Sequence, residues 1–328
     1  MSYKTALIGF GRMAAGYADD LANAQWFPYA THAQVLREHP AFNWVAVVDP
    51  SLDARTAASS RWAVPVTAQS LSELPNADEI EIAVIATPPD TRSGFLDLLP
   101  SLRAVLVEKP LGVDLFDATA FVEKCRQRGI PGAVNFPRRY DPDLRSLASS
   151  GLQKAIGQPQ AVFGTYGNGL RNNGSHLVDL MDMLLGKPNN IRLIDGGRYF
   201  VEGPIKGDSN FPFTMLWDNG LTAAIQPLSF SAYREVGLDI WGDTGRIQIL
   251  NESLTLLTTP VADNRQLTGS RELCYETSDT RYSGLGRSLY LAYDNLATTL
   301  HGETSLHCSL DDGLNTMRLV EDLMGQVN

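Results

Sequence analysis

The first half of the chain alternates short, almost wholly apolar runs with longer mixed segments. The apolar runs fall at residues 5–9, 44–48, 80–86, 104–107 and 132–135. The mixed segments at 90–99 and 114–128 carry helix-compatible patterns, as do the residues after Ala14 to about Asn23. Strands this uniformly apolar, separated by helices, predict a parallel sheet covered on both faces. Beyond about Asp141 the rhythm changes. Runs at 191–200, 213–217, 221–226, 236–241, 246–250 and 254–258 follow one another without helices between them. Turn pairs such as Gly242-Asp243 separate them, and Asn219-Gly220 is a strong hairpin signal. This half predicts a large, open, mainly antiparallel sheet, with helices near 174–185, 288–300 and 311–324.

The 328-residue length suits two domains, and 44% hydrophobic residues allow each a core without staples. A net charge of −10 leaves no basic stripe to neutralise a phosphate backbone, so small-molecule chemistry is expected and nucleic acid is not. Cys125, Cys274 and Cys308 are distant and lack CxxC spacing, and the histidines lack ligand spacing, so neither disulfides nor a metal is expected. No run approaches the ~20 apolar residues of a membrane span, and the amino terminus reads as no signal peptide, so a cytoplasmic protein is expected.

The first apolar run ends in Gly9-Phe10-Gly11-Arg12-Met13-Ala14, a GxGxxA at a strand-to-helix junction. Such glycines permit a tight turn and close backbone approach, while the following N–H groups suit a pyrophosphate. The second run ends at Asp49, whose carboxylate suits ribose hydroxyls and repels a 2′-phosphate, favouring NAD over NADP. Gly9 and Asp49 are about twice as far apart as the usual ~20 residues, so an insertion or extra helix is expected around 26–36. The fold class is therefore α/β: a Rossmann-type parallel-sheet domain over 1–137, then an α+β domain with an open sheet over 138–328.

Val107-Glu108-Lys109-Pro110 sets a cation and an acid directly after a buried strand, where ligands of open α/β sheets collect. Together with the glycine turn, Ala86-Thr87-Pro88, Arg139-Tyr140-Asp141-Pro142 and Gly174-Ser175-His176-Leu177-Val178-Asp179, it resembles the Gfo/Idh/MocA oxidoreductases. The resemblance spans the chain, since Ile240-Trp241-Gly242-Asp243-Thr244-Gly245 and the helix near 309–320 are also similar to that family's second domain. It implies hydride transfer on a carbohydrate or cyclitol, and homodimers or homotetramers built through the second-domain sheet. It also implies Gly9, Phe10, Gly11, Arg12, Met13, Asp49, Ala86, Thr87, Pro88, Glu108, Lys109 and Asn135 along the cofactor, with Lys109-Pro110 in cis. Arg139, Tyr166, Arg171 and His176 would line the substrate site.

His176, titrating near neutrality, suits proton transfer at the reacting hydroxyl, and Lys109 suits stabilisation of the alkoxide. The family pattern has an aspartate where this chain has Asn172, which shares a helical face with His176. Asp179 is the nearest acid that could replace that charge. Arg92 stands where many relatives have histidine, and the short Thr31-His32-Ala33 and Asn172–His176 matches are similar to a sugar-nucleotide branch. His32 itself is expected to be exposed or capping. Two alternatives remain open: a non-catalytic nucleotide- or sugar-sensing protein, and an NAD-retaining enzyme with no net redox change.

Overall fold

The computed structural model describes residues 2–92 and 94–327. The chain forms two compact units. One runs up to Tyr140 and includes Gly286–Asn315; the other comprises Asp141–Leu285 and the residues from Thr316 onward.

The first unit holds six parallel strands: β1 Tyr3–Ile8, β2 Phe42–Val48, β3 Val66–Ala68, β4 Ile82–Ile85, β5 Ala104–Val107 and β6 Gly132–Val134. Their spatial order is β3-β2-β1-β4-β5-β6, which reverses direction between β1 and β4. Crevices for ligands open at such a reversal, beyond the carboxyl ends of the strands. Every residue of β4 and β5 is buried, as uniform apolarity requires of central strands covered on both sides. Helices Leu52–Trp62 and Leu115–Gln127 start at the side chains of Ser51 and Asp114, each accepting a backbone N–H.

Two predicted helices take other forms. After the glycine turn there is no continuous helix to Asn23, only a 3-10 turn at Gly16–Asp19 and a four-residue turn at Leu21–Ala24. The helical course resumes at His32–Glu38, whose first N–H groups donate to the carbonyls of Met13 (3.1 Å) and Ala14 (2.8 Å). The extra residues thus loop out at 15–31, and the last part of the segment expected to be inserted, 32–36, belongs to the crossover helix itself. Thr31 and Gln34 mark its start with reciprocal side-chain-to-backbone bonds. The segment 90–99 forms 3-10 turns at Pro89–Thr91 and Phe95–Leu98 instead of a helix. Pro88-Pro89 and Gly94 oppose helix continuation there, and Arg92 turns inward.

Residues 286–315, expected in the second domain, fold with the first unit. Helix Ser288–Leu300 buries Leu289, Ala292, Tyr293 and Leu296, and Ser309 bridges Ala133 at the β6 edge.

The second unit carries one mixed sheet of nine strands. These are β7 Pro159–Tyr166, β8 Asn190–Leu193, β11 Phe213–Leu216, β12 Thr222–Pro227, β13 Gly237–Gly242, β14 Gly245–Leu250, β15 Thr255–Asp263, β16 Arg271–Leu273 and β17 Asp279–Tyr282, while β9 Phe200–Val201 and β10 Ser209–Asn210 form a small separate hairpin. The order is β16-β15-β14-β13-β7-β12-β11-β8, with β17 beside β15; only β7 and β12 run parallel. Alternate residues are buried along β13 and β14. One face packs on helix Ser175–Leu185 and on Leu319, Val320 and Leu323 of helix Leu310–Met324. The other face leaves Phe163, Asp239, Arg246 and Gln248 partly exposed, the pattern of a sheet covered on one side. Among the described residues, no helix is long and apolar enough to cross a membrane.

Candidate active site

Backbone hydrogen bonds just past the strand ends set the candidate residues in one row. Asp49 donates its N–H to Ala68 O, Gly9 to Val48 O, Ala86 to Ile8 O, Glu108 to Ile85 O and Asn135 to Val107 O, all at 2.8–3.1 Å. Residues as far apart in sequence as Gly9 and Asn135 therefore lie on one edge of the parallel sheet. Gly9 has φ +88°, and a Cβ on it would sit 2.8 Å from Ala86 C and Thr87 N, so only glycine fits. A Cβ on Gly11 would meet nothing within 4 Å, which leaves its backbone open to a ligand. Arg12 beside it is exposed. Phe10 N–H donates to Asp49 Oδ2 at 2.7 Å and Ser51 N–H to Asp49 Oδ1 at 2.8 Å. The acid braces the glycine turn and keeps a lone pair on each oxygen for hydroxyl donors.

At the ends of β4, β5 and β6 the side chains form a buried polar array. Glu108 Oε1 accepts from Asn135 Nδ2 at 2.6 Å and lies 3.0 Å from His32 Nε2; His32 Nδ1 lies 2.9 Å from the Tyr293 hydroxyl. Burial alone would raise the Glu108 carboxyl. The donors from His32 and Asn135 and the Lys109 charge outweigh it and hold the group below the usual carboxylate range. Burial pushes the Tyr293 phenol well up. Arg92, 1% exposed, donates to Glu108 O (2.6 Å), Thr87 O (2.7 Å) and Pro110 O. Burial lowers its guanidinium to about 10, against the pull of Glu108. The Lys109-Pro110 peptide is cis, and Lys109 is half-buried. Among the described residues, three buried polar atoms of this array, Thr87 Oγ1, Asn135 Oδ1 and Arg92 Nε, have no hydrogen-bond partner.

In the second unit His176 is half-buried as the second residue of helix Ser175–Leu185. A wide π turn, Leu170–Gly174, precedes it, with Gly174 N–H donating to Gly169 O at 3.0 Å. Such widenings occur often at functional positions. The Asp208 carboxylate caps the turn by accepting from Arg171 N–H (2.9 Å) and Asn172 N–H (2.8 Å). Gly174 packs on Tyr166, where a Cβ would come within 2.9 Å of the ring. The Asn172 amide donates to Asn168 O at 3.0 Å, and buried Asp179 accepts from Thr316 Oγ1 at 3.0 Å.

Two expectations need correction. His32 is neither exposed nor capping; it is fully buried against Glu108. Tyr166 lines no pocket: it is wholly buried, and its hydroxyl donates to Phe211 O (2.9 Å) and accepts from Phe211 N–H (3.0 Å). Arg171 forms a two-pronged pair with Glu321 at 2.7 Å. Arg139 pairs with Asp312 at 3.2 Å. Sequence reasoning missed Arg92 as a brace of carbonyls, and it missed Tyr293 and Asp208. The start of the helix bearing His32 had a signal in Thr31-x-x-Gln34. Partners 261 residues apart, as His32 and Tyr293 are, leave none.

Residues 3–136 match the family described as "Oxidoreductase family, NAD-binding Rossmann fold". Inositol 2-dehydrogenase of Rubrobacter xylanophilus is 28% identical over 264 residues, 74% of this chain and 70% of its own. The mouse (Mus musculus) trans-1,2-dihydrobenzene-1,2-diol dehydrogenase is 28% identical over 169 residues, 46% of this chain; the match spans only 51% of that relative's length. The WlbA dehydrogenase of Bordetella pertussis, solved with NADH and UDP-GlcNAcA, shares the fold with TM-score 0.73 at 17% identity, covering 99% of this chain and 96% of its own. With their 3-2-1-4-5-6 parallel sheet and glycine turn, residues 3–136 are similar to the NAD-binding Rossmann domain of the Gfo/Idh/MocA oxidoreductases.

Proposed function

We propose that the chain is an NAD-dependent oxidoreductase acting between a secondary hydroxyl and the corresponding ketone of a sugar, sugar nucleotide or cyclitol. The observation that carries this reading is the row at the sheet edge, which combines open backbone at Gly11 with the partnerless Thr87 Oγ1 and Asn135 Oδ1. Buried polar atoms left without partners cost about 1–3 kcal/mol each, and a ligand with hydroxyl and amide groups would satisfy them. Gly9, Phe10, Gly11, Arg12 and Met13 would hold the pyrophosphate, and Asp49 the adenosine ribose, disfavouring the extra phosphate of NADP. Ala86, Thr87, Pro88, Glu108 and Asn135 would line the nicotinamide half. The bound nicotinamide supplies the hydride acceptor or donor.

Every other task falls to side chains of this chain. Lys109 stabilises negative charge developing on the substrate oxygen. His176 takes the hydroxyl proton, or returns it in the reverse direction. Asn172 and Asp179 help set His176 by fixing the turn before it and the helix that carries it. Arg139 and Arg171 contribute to substrate binding, whereas Tyr166 shapes the second unit. Assembly as a homodimer or homotetramer through the open face of the second sheet belongs to the same reading.

Incubation with NAD and a panel of cyclitols, aldoses and UDP-sugars, read by nicotinamide absorbance, should reveal turnover. Lys109→Ala and His176→Ala should each lower kcat by about 10²–10³-fold or more. Their NADH affinity, read by fluorescence titration, should stay within a few fold. Full activity in both variants would refute the assignment. Ligand-dependent thermal stabilisation with no absorbance change across the panel would replace turnover with sensing.

A further inference from the structure

In the second sheet β7 and β12 run parallel, and their last residues, Tyr166 and Pro227, lie side by side. Adjacent parallel strands deliver the segments that follow them to the same edge, where ligands collect. After β7 the chain enters the turn that leads to His176; after β12 it runs through residues 228–231. Leu228 N–H donates to Tyr166 O at 2.6 Å, and a Cβ on Gly167 would overlap Leu228 O and lie 2.5 Å from the Phe230 ring. The two segments therefore touch within this unit.

Neither segment satisfies its own leading donors. Gly169, ahead of the turn, has no side chain to cap the N–H groups of Arg171 and Asn172, and Phe230 and Ser231 lie outside any strand. Acids of the β9–β10 hairpin serve both. Asp208, wholly buried, accepts from Arg171 N–H at 2.9 Å and Asn172 N–H at 2.8 Å, and Asn210 Oδ1 accepts from Gly169 N–H at 3.0 Å. Glu202 accepts from Ser229 Oγ (3.0 Å), Phe230 N–H (2.9 Å) and Ser231 N–H (3.1 Å). Gly203 presses on the turn itself, since a Cβ there would sit 2.5 Å from Asn168 O. Burial raises the Glu202 carboxyl, but its donors outweigh this and hold it below the usual carboxylate range. Bonds from N–H groups to ionised carboxylates are the strong kind. A hairpin with two paired residues on each strand adds little as a sheet, so its acids are its main contribution.

We propose that the hairpin 200–210 is a clamp on the substrate side of the second unit: Asp208 and Glu202 are positioning residues that hold the His176 turn and the segment 229–231 at one fixed spacing beside the substrate. The inference rests on the reading of His176 as the proton-transfer group, but the clamp can be tested without turnover.

Hydrogen–deuterium exchange of the free full-length protein, read by mass spectrometry, compares peptides covering 167–174 and 228–235 in Asp208→Asn and Glu202→Gln. Each amide has one accepting oxygen where the carboxylate has two, and it turns an N–H toward a donor. A clamp predicts that breaking either arm loosens both peptides, each exchanging about tenfold faster or more, while strand β14 keeps its wild-type rate. If each variant loosens only its own peptide, the two grips are independent and the inference is overturned. An equal rise in β14 also overturns it, because the acids would then support the whole unit. Glu202 is half-buried, and the far end of its segment is held by Asn251 N–H on Glu235 and by Arg234 on Glu252, both at 2.8 Å. Glu202→Gln therefore keeps the fold, and it decides alone if Asp208→Asn does not fold. Positioning, as opposed to support, is read kinetically on any cyclitol, aldose or UDP-sugar that is turned over. Glu202→Gln should lower kcat/KM about tenfold with NADH affinity within a few fold. Unchanged kcat/KM would overturn the positioning role. Full activity in His176→Ala would remove the functional reading while the exchange result still decides the clamp.

Discussion

In the first unit the candidate residues follow directly from strands, whereas in the second His176 rides on a helix behind a widened turn. Strand-end residues inherit their positions from the sheet: five rungs just past the strands align Asp49, Gly9, Ala86, Glu108 and Asn135. His176 has no such ladder. It depends on the Asp208 cap, on close packing of Gly174 against Tyr166, and on the Phe211 bonds that hold the Tyr166 hydroxyl. A site built on parallel strands is thus specified by backbone geometry, and one built on a helix entry by side-chain packing. Changes should act differently in the two places.

The largest contrast is expected between neighbouring glycines. Gly9→Ala forces a Cβ into Ala86 and Thr87 at φ +88°, which should cost about 1–3 kcal/mol or more of stability as well as NADH binding. Gly11→Ala meets no protein atom within 4 Å. It should leave the melting temperature of the free protein nearly unchanged and still weaken NADH binding. Equal loss of stability in both would break the distinction between a turn that needs glycine and a backbone kept open for a ligand.

On the side-chain-built side the change is smaller. Tyr166→Phe removes one donor and one acceptor from Phe211, and should cost about 1–3 kcal/mol because buried backbone groups lose their partner. KM would move only through displacement of the turn, because the Tyr166 hydroxyl is turned toward the Phe211 backbone. A large fall in substrate affinity at unchanged stability, measured by denaturation alongside kinetics, would return Tyr166 to the pocket.

The smallest effect is on pH dependence. Burial lowers the His39 imidazole more than its bond to Asp294 raises it. The unfolded state then binds more protons, so this contribution is complete above about pH 6.5 and is lost as pH falls below it. Glu108, also lowered, adds a second loss at more acidic pH. Asp141 and Glu235 of the second unit are raised by burial, so their contributions grow as pH falls. Amide exchange at pH 7 and pH 5 should therefore show the first sheet losing protection before the second, a difference that His39→Gln reduces.

The same contrast explains what could be read without coordinates. β4 and β5 announce themselves as unbroken apolar runs, and the glycine turn and Glu108-Lys109-Pro110 punctuate strand ends. β7, central in its sheet, escapes notice because Pro159 opens it and Gly164 interrupts it; that glycine lies where a Cβ would press on Leu177 at 3.1 Å. β3, three residues long, gives too short a pattern. Arg92 stands out in the sequence only as a departure from the family's histidine, since nothing local records that three carbonyls from two strand ends converge on it. Tyr166 reads as a pocket residue because its only polar atom is satisfied by a backbone 45 positions away.

The discontinuous first unit also has a temporal consequence. A ribosome finishes β6 long before it makes Tyr293, Asn295 and Cys308, which complete the hydrogen bonding of His32, His307 and Val134. The nascent Rossmann sheet must wait for the intervening 145 residues, 141–285, before it can close over its buried histidine. A fragment ending at Tyr140 would therefore leave that imidazole and its acid facing water.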